Sequence, residues 1–127
     1  MSLLAIVLAV IVVVALGMLW YSPVMFSRQW MELSGIDPVK AQANSGKMWK
    51  SYAGNIALTA VTAFVVYAIL AVGFQIMDLF ALWSAFALPV FAGGVFWGGK
   101  PLKLFLIEAG YSLVSLAFMA QVILWVA

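Results

Sequence analysis

The chain has 127 residues, 68% of them hydrophobic and only 8% charged, with a formal net charge of +2. An ordinary soluble domain is about half apolar and about a quarter charged, so this composition excludes a soluble globular fold, and its hydrophobicity excludes a disordered chain. The absence of Cys and His removes disulfides, thiolate nucleophiles, His- or Cys-ligated metals and haem, and His-based triads, while so small a net charge excludes a nucleic-acid partner.

What remains is an all-α integral membrane protein of a single transmembrane domain, 1–127. A helix crossing about 30 Å of hydrocarbon needs roughly 20 mostly apolar residues. The charges cut the chain into runs of that size: none before Arg28, none from Ser51 to Met77, none from Leu79 to Gly99, and only Glu108 after Lys103. We read four spans, at about 2–21, 52–74, 79–98 and 102–126. The first is a span and not a signal peptide, because it has no basic n-region and no small-residue cleavage site.

The loop 22–51 contains a short interfacial helix, expected over 23–34. Ser22 is positioned as its N-cap, Pro23 as its first residue and Gly35 as its stop. Phe26, Trp30 and Leu33 form its apolar stripe, which rests either in the membrane interface or on the bundle. Asp37-Pro38 starts a second short turn to about residue 43, which Asn44-Ser45-Gly46 ends. This loop is too short and too poor in polar side chains for a catalytic domain.

In the second span, Asn55, Thr59 and Thr62 fall at i, i+4 and i+7 and make one polar stripe. The third span carries Pro89, which should kink it, beside Gly93 and Gly94; the site is either a gate or, more commonly, a packing notch. In the fourth span, Glu108, Ser112 and Ser115 form a second polar stripe with Tyr111 beside them. Glu108 lies roughly 9 Å deep at 1.5 Å per residue, a depth comparable to that of Asn55. The two stripes are expected to face each other, with Asn55 and Tyr111 as partners for Glu108. As the one charge within a span, Glu108 is either a proton or cation site or a carboxyl that joins helices. A lone acid, with no second acid and no intramembrane Lys or Arg, favours the structural use.

Four spans place all six basic residues in the loops 22–51 and 99–103. The positive-inside rule makes that side cytoplasmic and puts both termini outside; in a bacterial inner membrane this is the periplasm. Trp20, Tyr21, Trp30, Trp49, Tyr52 and Trp97 are expected as cytoplasmic interface anchors, and Trp83 and Trp125 as outer ones. A faint internal repeat relates Gly17-Met18-Leu19-Trp20 and Pro23 to Gly94-Val95-Phe96-Trp97 and Pro101. Ala53-Gly54 likewise pairs with Ala109-Gly110. So few matches favour chance over duplication.

Two segments carry a resemblance. One is Gly17 to Pro23 (GMLWYSP), followed by Trp30-Met31 and Leu33-Ser34-Gly35. The other is Gly99 to Val114 (GKPLKLFLIEAGYSLV), in which a basic turn runs into an unusual string. With four spans, they make the chain resemble the domain-of-unknown-function family 1761, small bacterial membrane proteins, over nearly its whole length. The resemblance implies a four-helix membrane protein and no established activity, cofactor or catalytic residue. Relatives often carry Asn where this chain has Glu108 and His where it has Ser112, which weakens Glu108 as a family-wide acid.

The function expected is a non-catalytic accessory or packing subunit of a larger membrane protein complex. The alternative is a small oligomeric transporter or channel using the stripe around Asn55 and Glu108. A lipid-acting enzyme ranks last, since Glu108, Tyr111 and Tyr67 provide no nucleophile–base pair. No cofactor is expected. The apolar surface suits membrane lipids, a pigment or other membrane subunits.

Overall fold

The computed structural model describes residues 3–35 and 49–126, which form helices and turns and no strand. The Asp37-Pro38 turn, Asn44-Ser45-Gly46, Lys40 and Lys47 lie outside the described residues. The helices are α1 (Leu3–Trp20), α2 (Ser27–Ser34), α3 (Trp49–Ala71), α4 (Ile76–Phe96) and α5 (Leu102–Val126). All but α2 are long and apolar enough to cross a membrane, as the charge spacing predicts.

Local chemistry moves several boundaries. The Ser22 hydroxyl donates to the Leu19 carbonyl at 2.6 Å. It therefore closes the end of α1 instead of capping the next helix, and turns occupy the residues up to Phe26. Consequently α2 begins at Ser27, not at Pro23. It stops where expected, at Gly35, whose φ of +73° is left-handed and whose N–H reaches the carbonyls of Met31 and Glu32. The third span starts at Ile76 because Gln75 and Asp78 form a reciprocal capping box, with the Gln75 N–H donating to Asp78 Oδ2 at 2.7 Å. Asp78 thus sits in the first turn of α4 and not in a loop, where the helix dipole favours an acid. The helix continues through Pro89 to Phe96. It closes with Trp97 N–H on Gly93 O at 2.9 Å and Lys100 N–H on Gly94 O at 3.0 Å. A Cβ on Gly94 would lie 3.1 Å from the Lys100 side chain, whereas one on Gly93 would meet nothing within 4 Å. Gly94 is therefore a notch filled by the next turn.

The bundle is organised around α5, which contacts α1, α2, α3 and α4; α1 also packs on α3. The helix α5 buries seven residues, whereas α4 buries Leu79 and α3 buries Ala63 and Val66. One apolar cluster joins Ile6, Ala9 and Val13 of α1, Ala63 and Val66 of α3, Leu79 of α4, and Met119, Ala120 and Ile123 of α5. Ala9, Ala63 and Ala120 are fully buried. In hydrocarbon there is no hydrophobic force between helices, so packing must come from close contact, and small residues at the meeting points permit it. This cluster fills the half of the bundle nearest the start of α1 and the end of α5. The other half is built differently.

Candidate functional site

Where α1 ends and α5 begins, two hydrogen-bond geometries mirror each other. The Tyr111 hydroxyl of α5 donates to the Val13 carbonyl of α1 at 3.1 Å. The Trp20 indole N–H of α1 donates to the Ile107 carbonyl of α5 at 3.1 Å. A helix carbonyl already accepts one bond from its own helix, and a ring can reach its second lone pair only if the next turn is bare. Glycine supplies the bare turn in both cases. A Cβ on Gly17 would lie 2.7 Å from the Tyr111 hydroxyl, and one on Gly110 would lie 3.3 Å from the Trp20 ring. Each segment thus sends an aromatic ring over the other's glycine.

Further rings close around this lock. Trp20 packs on Phe26 with centroids 5.0 Å apart and on Tyr111 at 6.2 Å. Tyr21 meets Trp30 and Tyr111 edge-on, each at 5.4 Å, a favoured arrangement for aromatic quadrupoles. The Trp30 indole donates to Glu108 Oε1 at 3.4 Å, a long bond by usual geometry. It nevertheless fixes how α2 docks: the stripe of Phe26, Trp30 and Leu33 is half-buried, and α2 packs on α5. Tyr21 lies just beyond the end of α1. Burial above all, and then Glu108 and Tyr111, push its phenol up to about 12, so it remains protonated at physiological pH. Deeper in the bundle, the Trp83 indole donates to Ser112 Oγ at 2.9 Å, which ties α4 to α5. Trp83 is half-buried and lies roughly 10 Å along α4 from its start at 1.5 Å per residue. It is therefore an internal strut and not the outer-interface marker expected from sequence. Ser115 is buried, and its hydroxyl has no hydrogen-bond partner among the described residues.

The residues singled out from sequence fall into two groups. Trp20, Tyr21, Trp30, Glu108 and Tyr111 come together, although Trp20, Tyr21 and Trp30 are expected from sequence as interface anchors. Trp49 and Trp97 are 63% and 92% exposed. The stripe of α3 stays apart from Glu108. Asn55 and Thr62 are exposed, and the Thr59 and Thr62 hydroxyls donate to carbonyls of their own helix, Asn55 O at 2.7 Å and Leu58 O at 3.0 Å. The partner of Glu108 is Trp30, not Asn55, and Tyr111 is engaged by α1. The faint repeat also parts here: Trp97 is exposed where Trp20 is locked, and a Cβ on Gly54 would meet nothing where one on Gly110 would meet Trp20. Sequence reasoning missed the pairing of Gly17 with Tyr111 and of Gly110 with Trp20. Its visible signal was a glycine close to an aromatic residue in both segments.

Chemically, the cluster has one carboxyl, the donors of Trp20, Trp30 and Tyr111 already directed at carbonyls or at that carboxyl, and no paired nucleophile and base. Among the described residues, no three His, Cys, Asp or Glu side chains gather to hold a metal. The arrangement suits joining helices.

A thermodynamic cycle tests the lock. Gly17→Ala should cost about 1–3 kcal/mol through overpacking, and Tyr111→Phe about 1 kcal/mol through the lost hydrogen bond. Together they should cost less than their sum, because removing the hydroxyl makes room for the methyl group. Unfolding in mixed micelles measures all three variants; strict additivity would show that the two residues do not touch.

No curated protein and no solved structure matches the chain. The family described as Protein of unknown function (DUF1761) has a model that matches residues 4–124, and the chain belongs to that family.

Proposed function

We propose that this protein is a non-catalytic packing subunit of a larger membrane complex. The observation that carries this reading is the use made of its intramembrane polar groups. Glu108, Tyr111, Ser112, Trp20, Trp30 and Trp83 all bond across helices, which builds a unit in place of a reaction centre or conduction path. A transporter using Asn55 together with Glu108 has less support, because those residues do not meet. The outward surface is compatible with association. Along α4 only Leu79 is buried, while Phe86, Val90 and Phe96 are each more than 70% exposed. Such a face suits lipid or the helices of a neighbouring subunit equally well in composition.

Native membranes dissolved in a mild detergent provide the test. The chain should migrate with larger subunits, and Glu108→Gln should preserve that migration, since its amide oxygen still accepts the Trp30 N–H. Migration of the wild-type chain with none but its own copies would contradict the packing reading. Loss of a proton-coupled flux in an intact Glu108→Gln assembly would contradict the structural role of the carboxyl.

We further propose a bacterial cytoplasmic membrane as its location, with both chain ends on the periplasmic side. The distribution of Lys and Arg supports that orientation. Because the chain has no Cys of its own, a single cysteine added after Ala127 reports the side. An impermeant maleimide should label it from the periplasm in intact cells; labelling only after the cytoplasm is opened would reverse the topology.

A further inference from the structure

We propose that a second copy of this chain packs against the first half of α3, with Asn55 of the two copies paired side by side. Residues 52, 55, 59, 62, 66 and 69 follow a three–four spacing, so they lie on one stripe of the helix, the pattern of a helix–helix seam. In the second half of α3 this seam is covered within the chain: Val66 is buried and Ile69 packs against the core cluster. In the first half no other described residue covers it. Every residue from Trp49 to Leu58 is exposed, including Tyr52 at 60%.

The polar groups on the uncovered part are not equivalent. The hydroxyls of Thr59 and Thr62 are satisfied by carbonyls one turn back, so they require nothing from outside. The Asn55 side chain makes no hydrogen bond to another described residue. It lies roughly 9 Å along α3 from Trp49 at 1.5 Å per residue, within the apolar depth of the span, where an amide without a partner is costly. A second Asn55 is the partner that its chemistry fits best. A primary amide carries both donor and acceptor, so it is complementary to itself. A twofold axis along the membrane normal brings equivalent residues face to face at equal depth, so each amide both gives and receives a hydrogen bond. This pairing does not depend on the packing-subunit reading, because a dimer can stand alone or sit within a larger assembly.

The cysteine-free chain makes the test direct. Tyr52→Cys and Thr62→Cys place a thiol on the seam, and Phe64→Cys places one on the far side of the same helix. Oxidised in native membranes, the two seam variants should give a product of twice the chain mass, at least about fivefold more than the Phe64→Cys control. Adding Asn55→Leu to Thr62→Cys should lower that product by about fivefold, the scale of one interhelical hydrogen bond in lipid. Asn55→Gln, which keeps donor and acceptor, should leave it within about twofold. Equal cross-linking of seam and control, or a product of any mass other than twice the chain, would overturn the dimer. Indifference to Asn55→Leu would overturn the amide pairing. Both results are independent of whether larger subunits co-migrate, so the failure of either reading leaves the other standing.

Discussion

Two glycines set the distance between α1 and α5, and the rest of the bundle depends on that distance. At Gly17 and Gly110 the facing backbone is bare enough for the Tyr111 hydroxyl and the Trp20 indole to reach carbonyls of the opposite helix. In lipid such bonds matter because the apolar surfaces alone have no preference for each other over acyl chains. Once α1 and α5 are fixed, Phe26 and Trp30 find rings and a carboxyl to dock on, and the short helix α2 is held against α5. Farther along, Trp83 ties α4 to the same helix through Ser112. The apolar cluster around Ala9, Ala63 and Ala120 then closes the opposite half.

Much of this was legible beforehand. Charge spacing located four spans because a charge within hydrocarbon is costly, so the ten charges mark the loops and ends almost without exception. Glu108 is the exception, past the first turn of α5. Boundaries were read less well where side chains choose between helices. Ser22 has the chemistry of an N-cap but closes the helix before it, because the Leu19 carbonyl is nearer to hand. Asp78 falls just outside the span expected at 79–98, yet the capping box it shares with Gln75 draws it into the first turn of α4.

Partners across helices were the hardest to read. A polar stripe on α3 and another on α5 at similar depth suggest that they meet, but periodicity fixes only which side of its own helix a residue occupies. Rotation and tilt about neighbouring helices are set by packing. In this bundle the first half of α3 is exposed all round, which leaves Asn55 away from Glu108. Trp and Tyr were similarly ambiguous. Their amphipathic rings suit both an interface and an interior with a free carbonyl, and only the glycines opposite Trp20 and Tyr111 decide for the interior. The two segments that carry the family resemblance, Gly17–Pro23 and Gly99–Val114, turn out to contain the two halves of one lock.

The central claim is that the aromatic residues around Glu108 form a closed joint between helices and not a water-open site. Hydrogen exchange at the six tryptophan indoles, followed by nitrogen-labelled magnetic resonance in lipid bilayers, tests it most directly. The account predicts slow exchange at Trp20, Trp30 and Trp83, whose N–H groups are bonded within the bundle, and fast exchange at the exposed Trp49, Trp97 and Trp125. Exchange at Trp20 and Trp30 as fast as at Trp97 would contradict it.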